Sequence, residues 1–304
     1  AGAPPAEPIV IEGSASGQDA TFQEAFVIDV TGLPSGTVIS LKNIEFASIK
    51  GSVQVVGGDG SNFVIGDDDA QVIVLGEDDD TLMGGGGNDV IGSAGGNDVL
   101  YGNQGDDTVT GGADSDTLYG GQDADRVYGN TSGDVLYGNL GTDTLYGGQD
   151  ADTAFGGQDG DVIYGNLGGD VLHGNRGDDR LYGGQGDDVL FGGDGDDTLQ
   201  GGRGDDLMSG GTGADVFVIG GGDDSILGFS EAEGDRLQYQ GEAELLSTST
   251  DAAGNTVFTL RGGGTVTLVG YSGAETVNGG DVTPERFPER PPTDDVMAWL
   301  GGGD

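Results

Sequence analysis

The 304-residue chain has no cysteine, one histidine, one tryptophan and only ten lysines and arginines. Without cysteine there is no disulfide, and zinc and iron–sulfur sites built on thiolates are excluded. The single histidine, His173, removes the two-histidine zinc proteases and nearly all histidine acid–base chemistry, including any Ser-His-Asp triad not built on it. Against ten basic residues stand 54 acidic ones, a net charge of −44 and a pI near 4.1. Nucleic acid and anionic lipid are excluded as partners, because both demand clustered Lys and Arg. Eighteen consecutive apolar residues occur nowhere, so no membrane-spanning helix is expected. Residues 1–8 carry neither a basic stretch nor an apolar core and do not read as a Sec-type signal peptide.

What the chain has in excess is glycine. Its 67 glycines and eight prolines make up about a quarter of all residues, a level that reads as disorder unless it is periodic. It is periodic. From Gly84 the chain runs GGGGNDVIG, SAGGNDVLY, GNQGDDTVT, and continues in nonads without insertion to Leu227. The sixth residue is aspartate in seventeen successive units: Asp80, Asp89, Asp98, Asp107, Asp116, Asp125, Asp134, Asp143, Asp152, Asp161, Asp170, Asp179, Asp188, Asp197, Asp206, Asp215 and Asp224. The eighth residue is apolar throughout, from Leu82 to Ile226, with Ala154 the smallest. Two earlier units, 57–65 and 66–74, keep the phase but carry Asn62 and Gln71 in place of the aspartate. They read as transitional turns with weaker or absent metal sites.

Each nonad divides into a six-residue turn and a three-residue strand. Thr, Val, Leu, Ile and Tyr crowd positions seven to nine, and alternation sends the eighth side chain inward. Glycine at positions one, two and four permits backbone angles barred to other residues. Where position two or four is not glycine it is often Asn or Asp, as at Asn103, Asn139, Asp114 and Asp150, the residues that best tolerate a left-handed conformation. Two nonads close one flattened turn, and turns stack. The fold class expected is all-β: a parallel β-roll, or β-solenoid, of nonapeptide repeats with β caps at both ends. Stacking brings each aspartate within about 4.8 Å of its neighbour a turn away. At an effective dielectric of 20 that repulsion is roughly 3 kcal/mol per pair. Only Arg126 and Arg180 sit beside a repeat aspartate in sequence. A hard divalent cation held by carboxylates and carbonyls answers the need, and a flexible oxygen shell favours Ca²⁺ over Mg²⁺. The chain without metal is expected to be unfolded or molten.

The nonad G-G-x-G-x-D with an apolar residue two places on resembles the RTX, or hemolysin-type, calcium-binding repeat; units 183–191, 192–200 and 201–209 match it closely. The resemblance implies that all seventeen aspartates are calcium ligands, helped by main-chain carbonyls of adjoining turns. About one Ca²⁺ per repeat would then offset roughly 34 of the 44 negative charges. It also implies a secreted chain, extracellular or on a bacterial cell surface, and a type I secretion signal within about residues 242–304.

Four segments are expected: an N-terminal β cap (1–56), the calcium-binding β-roll (57–227), a C-terminal β cap (228–280) holding a hairpin around Gly263, and a Pro-rich linker with a short helix (281–304). The apolar end of that tail reads three ways: docked on its own molecule, docked on a neighbour, or read by a secretion machine. Position nine forms two aromatic rows: Tyr101, Tyr119, Tyr137, Phe155, His173 and Phe191 on one face, Tyr128, Tyr146, Tyr164 and Tyr182 on the other. They read either as ladders that stabilise the sheets or as a surface for lateral association or glycan contact. No catalytic or cofactor motif stands out, so no enzyme is expected. The functional expectation is a secreted calcium-binding structural or cell-surface protein of surface-layer, matrix, adhesin or filament type, able to self-associate through the ladder or the tail. The alternative is the C-terminal folding and secretion module of a larger exoenzyme or toxin.

Overall fold

The computed structural model describes residues 7–12, 25–34, 36–42, 44–58, 60–240, 245–261, 263–271 and 281–282. Among them every regular element is a strand, and no helix is long and apolar enough to cross a membrane. Up to the strand Arg236–Gln240, successive strands alternate between two sheets of 14 and 15 strands. Through the repeats, neighbours within each sheet are parallel and the register advances by 18 residues: Val99 faces Thr117, and Thr108 faces Arg126. This is the expected parallel solenoid, two nonads to a turn. The eighth residues form one continuous core between the sheets, with Leu100, Val109, Leu118, Val127 and Leu136 fully buried.

Before the repeats lie β1 (Ile9–Glu12), β2 (Ala25–Asp29), β3 (Val38–Lys42), β4 (Phe46–Lys50) and β5 (Gln54–Val56), followed by β6 (Phe63–Ile65) and β7 (Val72–Val74). They stack on the same two sheets, also in parallel, but with irregular turn lengths: Ile9 faces Ile39, Ala25 faces Phe46 and Val38 faces Gln54. The segment expected as an N-terminal cap is thus continuous with the solenoid. Its buried core side chains are aliphatic, from Ile28 and Ile39 to Ile49 and Val55.

At the other end the strand Arg236–Gln240 extends one sheet. On the other, Thr265–Val269 pairs in parallel with Asp223–Leu227 and antiparallel with Thr256–Leu260, which pairs antiparallel with Leu245–Thr250. The expected hairpin around Gly263 is therefore present, and it ends the parallel stacking with a meander. Asp281–Val282, at the start of the expected linker, adds a short strand to Arg236–Gln240. The expected helix near residues 293–300 lies outside the described residues.

Candidate metal centre

The turns hold the aspartates in a uniform way. All seventeen are buried, none more than 3% exposed. In each successive pair the backbone N–H of one aspartate donates to Oδ1 of the aspartate 18 residues on: Asp80 to Asp98 at 2.7 Å, Asp125 to Asp143 at 2.8 Å, Asp206 to Asp224 at 3.2 Å. One oxygen of each carboxylate thus ties two turns together.

The other oxygen is left over. In fourteen of the seventeen, from Asp89 through Asp206, Oδ2 is buried with no hydrogen-bond partner among the described residues. A buried, unpaired carboxylate oxygen is costly, so the geometry demands a cation or a proton. Position one of the repeat shows where a cation fits. A Cβ built on Gly138 would collide with Asp143 Oδ2 and with the Gly156 carbonyl oxygen of the next turn. Gly102, Gly165, Gly174 and Gly183 are hemmed in the same way. Each such glycine leaves a cradle into which one carboxylate oxygen and one carbonyl point. No group of three or more acidic or histidine side chains clusters among the described residues, so a cation here would draw most of its ligands from the main chain. That oxygen-only donor set suits Ca²⁺.

This refines the sequence reading of the glycines. Positions two and four do require a left-handed backbone: Asn103, Asn139, Asp114 and Asp150 have φ of 84°, 81°, 71° and 71°. Position one does not. It is glycine because the aspartate oxygen occupies the space of a side chain.

The same crowding shifts the carboxyl groups. Burial is the leading cause and pushes them up: to about 6 at Asp80, Asp89, Asp143, Asp170, Asp179 and Asp224, to about 7 at Asp107, Asp134, Asp188 and Asp206, and to about 8 at Asp116, Asp125, Asp152, Asp161 and Asp197. Asp98 and Asp215 move the same way. The backbone hydrogen bond opposes the shift, while neighbouring carboxylates add to it, as Asp134 and Asp98 do at Asp116. The groups that move these carboxyls most include no lysine or arginine.

The array changes at its ends. Asp80 and Asp224 have Leu75 and Ile219 at position one, both buried, where the others, Asp98 excepted, have glycine. In the unit that ends at Tyr101, Ser93 takes this place; its hydroxyl donates to the Gly76 carbonyl at 3.1 Å and approaches Asp80 Oδ2 at 3.5 Å. Asn62 and Gln71 keep the ladder without charge: their backbone N–H groups donate to Asp80 and Asp89, at 2.6 and 2.7 Å. Asn62 Nδ2 donates to the Ile44 carbonyl at 2.8 Å.

One member of the ladder escapes the nonad count. Asp235 Oδ1 accepts from the Asp215 N–H at 3.0 Å, 20 residues away, and its Oδ2 accepts from the Ser230 N–H at 2.8 Å. The surviving signal is Asp235-Arg236-Leu237-Gln238, the Asp-x-apolar-x of the repeat shifted two residues out of phase.

A parallel β-solenoid with regularly spaced, unpartnered carboxylate oxygens along its turns has the architecture of a metal-binding repeat protein. The chain matches the RTX calcium-binding nonapeptide repeat over residues 56–91 and, in overlapping blocks, 93–127, 119–154, 128–163, 155–190, 164–199 and 191–226. These blocks span more than half of the chain, which belongs to this family. No curated protein matches it significantly over its length.

Proposed function

We propose that the chain is a secreted structural or cell-surface protein, of surface-layer, matrix, adhesin or filament type, that folds when it meets extracellular calcium. The observation that carries the reading is the row of fourteen buried Oδ2 atoms without partners. Asp89, Asp98, Asp107, Asp116, Asp125, Asp134, Asp143, Asp152, Asp161, Asp170, Asp179, Asp188, Asp197 and Asp206 would each supply an oxygen to Ca²⁺ beside main-chain carbonyls. Asp80, Asp215 and Asp224 take the weaker terminal positions. Bound calcium supplies the positive charge that the chain itself does not.

Extracellular calcium modules work at about 10⁻⁴–10⁻³ M, far above cytosolic levels. Before export the turns repel one another and the chain stays extended; outside, calcium closes them. Residues 1–56 and 228–280 serve as the caps that cover the ends of the column. The groups a catalytic reading would draw on have other tasks. The aspartates tie turns together, and His173 is stacked between Phe155 and Phe191, with its pKa lowered by burial. We read the chain as having no reaction of its own.

Circular dichroism during a calcium titration tests this. The β signal is expected to rise cooperatively and to be reversed by a chelator. An equally folded chain in chelator would overturn the reading.

A further inference from the structure

We propose that the outer face of the 15-stranded sheet between Val99 and Arg176 pairs with the same face of a second copy of this chain, ridge into groove. The pairing rests on the calcium-folded state and names the surface through which a structural role would be exercised.

Two features run side by side along this face. The ridge is the aromatic row from Tyr101 to Phe191, whose ring centroids lie 4.6 to 5.1 Å apart with interplanar angles of 5° to 16°. Against it lies a groove of about 790 Å³ lined by Gly121, Gln122, Asn139, Leu140, Gly157 and Gln158 together with rings of the row itself. Leu140 is 41% exposed there. A two-fold axis parallel to the solenoid axis, midway between the two faces and between ridge and groove, would set each copy's ridge over the other's groove at every turn, a closed, self-complementary contact. Contact over several turns needs a partner with the same axial rise, and a second solenoid has it. Interdigitated side-chain rows at this spacing are the basis of dry sheet-to-sheet interfaces.

Charge points the same way. The strands Val99–Gln104, Thr117–Gln122, Val135–Leu140, Thr153–Gln158 and Val171–Arg176 contain no carboxylate, in a chain with 54. Two acidic copies can approach closely only where neither presents acid. The stacking also argues against a sugar chain as occupant. Sugars pack on aromatic ring faces, and here each ring face is covered by the next ring. Five strands of six residues present on the order of 500 Å², below the roughly 800 Å² per partner of a standard stable interface. The association is therefore weak and concentration-dependent.

Sedimentation velocity of the full chain in millimolar calcium, with circular dichroism on the same samples, is the test. The natural chain is expected to show a dimer fraction that rises with concentration. Q122E/L140E/Q158E, all at exposed positions, is expected to stay folded and monomeric, while Q149E/Q185E on the other sheet dimerises as before. Should the triple variant lose its fold, Q122E alone is expected to weaken the dimer at unchanged circular dichroism. A folded natural chain that stays monomeric at every concentration overturns the pairing. So does a dimer indifferent to the triple variant, one equally sensitive to both sets, or a monomer that binds a linear neutral oligosaccharide in the groove. A dimer that forms in chelator leaves the pairing standing and sinks the calcium dependence instead.

Discussion

At the residue scale, position one is the informative glycine. Gly138→Ala would set a methyl against Asp143 Oδ2 and the Gly156 carbonyl. Overpacking of this kind costs about 1–3 kcal/mol, and the cation cradle is lost as well. Equilibrium dialysis should find one calcium fewer per chain, with a higher calcium midpoint for folding. Asn139→Gly, at a φ of 81°, should change neither the ion count nor the midpoint beyond a small shift, because glycine accepts that backbone freely. Asp143→Asn separates the two jobs of the carboxylate. The amide oxygen can still accept the Asp125 N–H, as Oδ1 does now at 2.8 Å, but the charge is gone. Native mass spectrometry should show one ion lost while circular dichroism in calcium stays unchanged. Asn62 already shows that an amide is accommodated at this position.

At the element scale, the solenoid is not uniform along its length. The turns built from β3 to β7 contain an aliphatic core and amides at Asn62 and Gln71, whereas the turns from Asp89 to Asp206 carry an unpartnered carboxylate oxygen in each nonad. Desolvated, mutually repelling carboxylates destabilise one part and not the other. In chelator, amide hydrogen exchange is expected to remain slower in peptides covering Phe46–Lys50 and Phe63–Ile65 than in those covering Val135–Leu140 and Val171–Arg176. Equal exchange throughout would show that the N-terminal turns have no stability of their own.

At the scale of the whole molecule, protons and calcium compete for the same oxygens. Fifteen of the folded carboxyls lie at about 6 to 8, above the value of about 3.9 for an aspartate in an unfolded chain. The metal-free folded state therefore binds more protons than the unfolded one. Its stabilisation is fully present below about pH 4 and is lost as pH rises through 6 to 8. In chelator, acidifying from pH 8 to pH 5 should restore part of the β signal. In calcium the apparent affinity should fall over the same range, because protons must leave before the ion binds. A chelated chain whose circular dichroism ignores pH would contradict the first, and a calcium midpoint that ignores pH the second.

The sequence alone determined the nonad, the two-nonad turn, the inward eighth residue, the aromatic rows and the seventeen aspartates, because strict periodicity allows only one stacking register that buries every eighth side chain. It also placed the left-handed positions, since Asn and Asp are the residues that mark them. It did not show that position one is glycine to make room for a carboxylate, or that Asp235 joins the ladder across a two-residue insertion. Nor did it show that the aspartate oxygens divide their work, one holding the backbone of the next turn and the other left without a partner. Those facts depend on atoms 18 or 20 residues apart in the chain, and only their meeting across stacked turns decides them.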